Sequence, residues 1–156
     1  MNHSCVANTR IFQRDDHVVC VRAQTPILKN QEIFNKYTSF FDGFLERSEL
    51  TSNNWNFQCE CPRCSDPSDL GSNFDTLICT ECNGMMIPKP DKTLEWTCQK
   101  CTNKLTDTKV QSMEEQFLMR MKESAGDINQ MESLLKNGSK MFHSNHHSML
   151  HLKVTM

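Results

Sequence analysis

Hydrophobic and polar positions change period along this chain, and each change predicts an element. Val18-Val19-Cys20-Val21-Arg22-Ala23 is short and β-branched and predicts a strand, which Thr25-Pro26 breaks. Ile27-Leu28 and Ile33-Phe34 flank the polar Lys29-Asn30-Gln31-Glu32, the pattern of a turn between short extended pieces. From Ser39 to Leu50, residues Phe40, Phe41, Phe44, Leu45 and Leu50 fall roughly at helical spacing. Ser65 to Gly71 has loop composition, and residues 77–103 enclose an extended, proline-containing middle.

From Thr108 the period becomes helical. Thr108 with Gln111 predicts a capping box, and Val110, Met113, Phe117 and Met121 follow on one face. Gly126 breaks that helix and Asp127 caps the next, whose stripe is Ile128, Met131, Leu134 and Leu135. Asn137-Gly138 stops it, and a third helical pattern starts near Ser144. His143, His146, His147 and His151 read as a polar loop and helix start, although His147 and His151 share a helical face.

Apolar residues are only 37% of the 156, a thin supply for one well-packed core, and nine cysteines offer another means of holding the chain. No stretch approaches the length of a membrane-spanning helix, and polar Asn2-His3-Ser4 after Met1 does not read as an export signal. An intracellular, reducing setting follows as the expectation, and clustered thiols there read as metal ligands before disulfides.

Cys79-x2-Cys82 and Cys98-x2-Cys101 lie fifteen residues apart, a spacing that wraps a tetrahedral zinc ion. Asn83-Gly84 and Thr102-Asn103 suit the tight knuckle backbone. Cys59-x-Cys61-x2-Cys64 supplies three ligands of a second site. Cys20 sits in the β-branched run and is expected in the core, so Cys5 is the better fourth ligand. A histidine ligand or a shared cluster stays open on spacing alone.

The formal charge of −2 becomes about −6 with two tetrathiolate zinc sites. Lys89, Lys92, Lys100 and Lys104 of the ribbon region are offset by Glu81, Asp91 and Glu95, so nucleic-acid binding is disfavoured.

Asn2-His3-Ser4-Cys5 followed by Asn8 resembles the NHSCxPN motif of SET-domain lysine methyltransferases. RAQTPILKNQEIFNKY, ending at Tyr37, resembles the stretch that follows it, and FQCECPRC (Phe57 to Cys64) resembles the post-SET cysteine motif. Order and spacing are similar to the SMYD branch, proteins with SET and MYND domains, and most of all to its insect members. Ala7, Asn30 and Gln31 depart from the family's usual Pro and Gly-Glu.

The resemblance implies a fold and roles. The fold is α+β: residues 1–50 as the C-terminal part of a β-rich SET core, 51–70 as a post-SET zinc loop, 71–104 as a four-cysteine ribbon-like module, and 105–156 as the start of a helical, TPR-like domain. Asn2 and His3 would contact S-adenosylmethionine, with Trp55 and Phe57 walling its pocket and the lysine channel. Tyr37 would stand beside the methyl-transfer path, and Cys5 would join Cys59, Cys61 and Cys64 around zinc. The partner implied is a lysine-containing protein, with no membrane and a monomeric chain. The family's Gly-rich first SET segment and its MYND module would precede residue 1, so catalysis by these residues alone is not expected. The alternative is an inactive, zinc-stabilised interaction module.

Overall fold

The computed structural model describes residues 1–89 and 95–156. Asp91 and Lys92, counted above in the charge of the ribbon, lie outside the described residues. Two compact units divide the chain, Met1–Ser65 and Asp66–Met156.

In the first unit the β-branched run forms β3 (Val19–Ala23), antiparallel to β2 (Thr9–Gln13). Its partner was not legible in sequence, because Thr9–Gln13 alternates too weakly to announce a strand. The hairpin stands largely exposed. Cys20 is therefore half-buried on a two-stranded ribbon, not in the core as expected. β1 (Asn2–His3) runs parallel to β4 (Phe34–Asn35). Before β4, the turn donates Gln31 N–H to the Leu28 carbonyl at 3.0 Å, with Asn30 at φ 66°, a left-handed geometry that asparagine tolerates.

The next helix, α1 (Phe44–Trp55), begins five residues later than the apolar spacing predicted and runs five residues further. Phe40 and Phe41 stay outside it, exposed and edge-on to each other. Lys36 and Arg63 lie over the Phe40 ring at 5.0 and 5.9 Å, which accounts for a phenylalanine tolerated in water. Asn56 in left-handed geometry ends α1, and α2 (Pro62–Ser65) is a single turn. Buried apolar residues here are few: Cys5, Leu45 and Cys64. Buried polar ones include Ser4, Asn8, Thr38, Asp42, Arg47 and Thr51, so directed bonds replace much of the missing core. Arg47, fully buried, donates from Nη1 to the Asp42 carbonyl at 2.9 Å.

The second unit joins a sheet to three helices. β5 (Leu77–Ile78), β6 (Met85–Pro88), β7 (Glu95–Cys98) and β8 (Lys104–Thr106) pair antiparallel in chain order. Trp96 is buried in this sheet, and its indole N–H donates to the Asp75 carbonyl at 2.9 Å. Lys89 and Lys104 share the single carboxylate of Glu95, which offsets one of their two charges.

β8 leads directly into α3 (Asp107–Glu123), followed by α4 (Ile128–Gly138) and α5 (His147–Thr155). The start of α3 differs from the expected capping box: Thr106 is the cap residue, and the Asp107 carboxylate accepts from the Thr108 N–H. Asp107 precedes the predicted box and captures that amide first. Asp127 does cap α4, accepting from Gln130 N–H. Val110, Phe117, Met121, Met131 and Leu134 point inward as the stripes predict, whereas Ile128 is exposed at the first turn of α4. Gly138 lies inside the last turn of α4 because Phe117 and Met149 press against it; an added Cβ would lie 2.7 Å from each.

Helices and sheet are stitched along the chain before α5. Ile78 N–H donates to the Met141 carbonyl, His143 N–H to Thr76 and His147 N–H to Phe74. This stitching seats His146, the cap residue of α5, in full burial rather than in the polar loop its composition suggests. None of the described helices is long and apolar enough to cross a membrane.

Candidate cofactor cleft and metal centres

The parallel pairing of β1 with β4 positions the first site. Asn8, just before β2, clamps the start of β4: its side-chain amide donates to the Glu32 carbonyl at 2.8 Å and its side-chain carbonyl accepts from Phe34 N–H at 2.8 Å. Thr9 Oγ1 donates to the Phe34 carbonyl at 2.7 Å. Asn2 donates to the Glu32 carboxylate. Asn8 was read only as part of a motif, and its clamping role was missed; the fixed spacing after His3 was the available signal.

His3 is the hinge of an aromatic row. Its Nδ1 accepts from the Tyr37 backbone N–H at 3.0 Å, which fixes the ring plane. Ring centroids stand 5.1 Å from Tyr37 and 5.7 Å from Phe57, and Tyr37 lies 4.9 Å from Trp55. All four aromatic residues singled out in sequence are thus brought together. The Tyr37 hydroxyl donates to the Met1 carbonyl at 2.6 Å. Burial pushes the His3 imidazole below its ordinary pKa, against the opposing pull of the Cys61 thiolate.

Beside this row opens a cleft of about 510 Å³. His3, Asn8, Phe34 and Phe57 line it, together with Cys59 and Cys61. Asn2, Tyr37 and Trp55 are not among its walls. Of the five residues expected around the reaction, two face the cleft and three stand outside it.

Cys5, Cys59, Cys61 and Cys64 converge at one end of the cleft. Cys5 Sγ lies 4.0 Å from Cys59 and 3.5 Å from Cys64. Four sulfurs about 2.3 Å from a tetrahedral zinc stand about 3.8 Å apart, whereas disulfide sulfurs stand about 2.05 Å apart. The group fits zinc, and the fourth position that spacing left open is filled by Cys5. Cys20 is not part of it. Hydrogen bonding from the Cys5 thiol brings Cys59 down to about 7 and pushes Cys61 much further down. Cys5 and Cys64 are raised, since they supply the protons that stabilise those thiolates.

The second group, Cys79, Cys82, Cys98 and Cys101, has sulfur separations of 3.7, 3.4 and 3.5 Å. It fits zinc equally well. Asn83 takes the left-handed backbone expected after the first knuckle, at φ 54°. Asn103 donates its side-chain amide to Cys79 Sγ at 3.4 Å, and that bond first of all holds the Cys79 thiol down at about 6. Gly84 is packed against the site: an added Cβ would meet Lys100 Cβ at 2.9 Å and two of the sulfurs at 3.2 Å.

Comparison with known proteins follows the same residues. Residues 1–38 match the SET domain family. The SET domain-containing protein SmydA-8, isoform A, of Drosophila melanogaster is 35% identical over 107 residues, 66% of this chain and 23% of that protein. The histone-lysine N-methyltransferase ASHR1 of Arabidopsis thaliana is 29% identical over 108 residues, covering 65% of this chain and 22% of its own length. The human protein-lysine N-methyltransferase SMYD4 is 24% identical over 143 residues, 88% of this chain and 17% of its own. The chain spans less than a quarter of the length of each. With the motif order, the cysteine-closed first unit and these relatives in agreement, residues 1–38 are a SET segment and the chain is similar to the SMYD-type SET proteins.

Proposed function

We propose that this chain is the C-terminal portion of a SMYD-type protein-lysine N-methyltransferase that uses S-adenosylmethionine. The observation that carries the reading is the cleft between His3, Asn8 and Phe57, closed at one end by a cysteine site that fits zinc. The cofactor, when bound, supplies an electrophilic methyl group on a cationic sulfonium. Aromatic faces suit a cation, and the His3–Phe57 pair offers them. The half-buried, neutral His3 ring and the Asn8 clamp hold that wall rigid, which serves an in-line transfer that depends on alignment. Tyr37 and Trp55 extend the apolar surface along which a lysine side chain would approach and lose its proton by desolvation. A lysine-bearing protein is the substrate class of this reading. The helices after Asp107 would form the start of a TPR-like partner-binding domain. Sulfurs at metal-bridging rather than disulfide spacing favour a reducing, intracellular setting.

The test is a titration of the zinc-loaded chain with S-adenosylmethionine, followed by NMR at His3 and Phe57. Saturable shifts at both residues, lost in His3→Gln while Trp55 fluorescence stays native, are the expected result. A folded, zinc-loaded chain without shifts at millimolar cofactor would overturn the cofactor-binding role and leave the zinc-stabilised interaction module.

A further inference from the structure

Glu114 of α3 meets His146 and His147 at the start of α5. Glu114 Oε1 lies 2.9 Å from His147 Nε2 and 3.3 Å from His146 Nε2. The imidazoles stack with centroids 4.3 Å apart. Phe142 covers the His146 ring at 4.5 Å and Phe74 flanks His147 at 5.9 Å, so the cluster is walled by aromatic rings. It shares no residue with either cysteine group.

Two atoms at this cluster are orphaned. His146 Nε2 is fully buried, points toward Glu114, and makes no hydrogen bond. Ser148 Oγ is buried without a partner as well. His146 Nδ1 meanwhile accepts from the Ser148 backbone N–H at 3.2 Å. Buried polar atoms left unpaired in a native fold call for an ion or a water.

We propose that Glu114, His146 and His147 form a third divalent-cation site, of the borderline type that takes two imidazoles and a carboxylate, such as zinc. Nitrogen and oxygen ligands about 2.05 Å from a tetrahedral ion stand about 3.3 Å apart, close to the separations found. Each ring keeps one proton, moved from Nε2 to Nδ1, and the freed Nε2 lone pairs bind the ion. The same shift turns His146 Nδ1 into a donor beside Ser148, whose hydroxyl oxygen is free to accept. The buried Ser148 N–H gives up its cap, a cost that the metal bonds must outweigh. Three protein ligands leave the fourth position for water or an external group.

The test is a cobalt(II) titration of the metal-stripped full chain. Thiolate charge-transfer absorption is expected to saturate at two equivalents, and a third equivalent to add only weak ligand-field bands. Glu114→Gln and His147→Gln should each weaken that third equivalent by more than about tenfold, since even outer-shell changes reach that size. In the wild type, zinc beyond two equivalents should move the proton of His146 from Nε2 to Nδ1 in imidazole nitrogen spectra. Saturation at two equivalents, with the His146 tautomer unmoved, would overturn the site and leave a hydrogen-bonded pin between α3 and α5. A third equivalent unaffected by both substitutions would overturn it equally, placing that ion elsewhere.

Discussion

Cys5 and Cys59 donate to the same proposed zinc, yet removing them should have unequal consequences. Cys59, Cys61 and Cys64 lie within six residues of one another, so their chelate ring closes as readily in an unfolded chain as in the fold. Losing Cys59 weakens zinc similarly in both states and changes folding stability little. Cys5 is separated from Cys59 by 54 residues. In the fold it is delivered to the metal by β1; in the unfolded chain it must close a loop of that length. The chain-entropy relation puts that closure at about 4 kcal/mol, the ceiling on what the Cys5–zinc bond adds to stability. At saturating zinc, Cys5→Ser should therefore lower the stability of the first unit by up to about 4 kcal/mol more than Cys59→Ser does. The assay is urea unfolding of the full chain. Trp55, packed at a tilt against Tyr37, reports the first unit, and buried Trp96 reports the second. Equal midpoints for the Trp55 transition in the two variants would refute Cys5 as the distant ligand.

Two further outcomes are expected. Gly138→Ala should destabilise the helices by about 1–2 kcal/mol: the gain in helix propensity of about 1 kcal/mol is outweighed by a Cβ set 2.7 Å from Phe117 and Met149. Circular dichroism melting should show a lower midpoint, and a stabilised variant would mean that α4 does not pack this closely. In protein carrying two zinc ions, burial holds His146 down at about 4, ahead of the opposing pull of the nearby Glu114 carboxylate. Above pH 6.5 the ring is neutral folded or unfolded; between 6.5 and about 4 the unfolded chain takes the proton first, so stability falls by roughly 3 kcal/mol across that window. Burial opposes ionisation of Glu114, yet the pull of His146 and His147 prevails and keeps it at about 2, so its contribution is lost in the same direction at still lower pH. A His146 ring proton that titrates near 6.5 by NMR would contradict this.

Much of the site was legible because cysteine spacing is local. A CxxC knuckle states its own geometry, and Asn83 and Asn30 state theirs through left-handed backbone. The helical stripes around Val110, Phe117 and Met131 were legible for the same reason. What could not be read was set by distant partners. Phe40 looks like core in any short window, and Arg63, brought in by folding, joins nearby Lys36 over a surface ring. His146 is polar by composition, and its burial is decided by Phe142 and by Glu114 thirty-two residues before it. β2 escaped notice because an exposed ribbon places no demand on alternation.

That ribbon has two unlike faces. Arg10 and Arg22 are directly paired across it, and both guanidiniums lie over Phe12, at 5.7 and 5.5 Å. Ile11, Val19 and Val21 occupy the reverse face and are exposed. An apolar face with unpaired strand edges is a template on which a like ribbon can stack or add. The paired arginines oppose edge addition, because neighbouring strands lie about 4.8 Å apart and an added ribbon brings its arginines onto the same face within reach of unscreened charge. At 0.1 M salt the screening length is about 10 Å and at 1 M about 3 Å, so concentrated salt silences the arginines and leaves the valines as attractive as before. Ionic strength is thus the expected control on colloidal behaviour: light scattering should rise with salt as hairpins add edge to edge, and scattering unchanged between about 0.1 and 1 M would refute this.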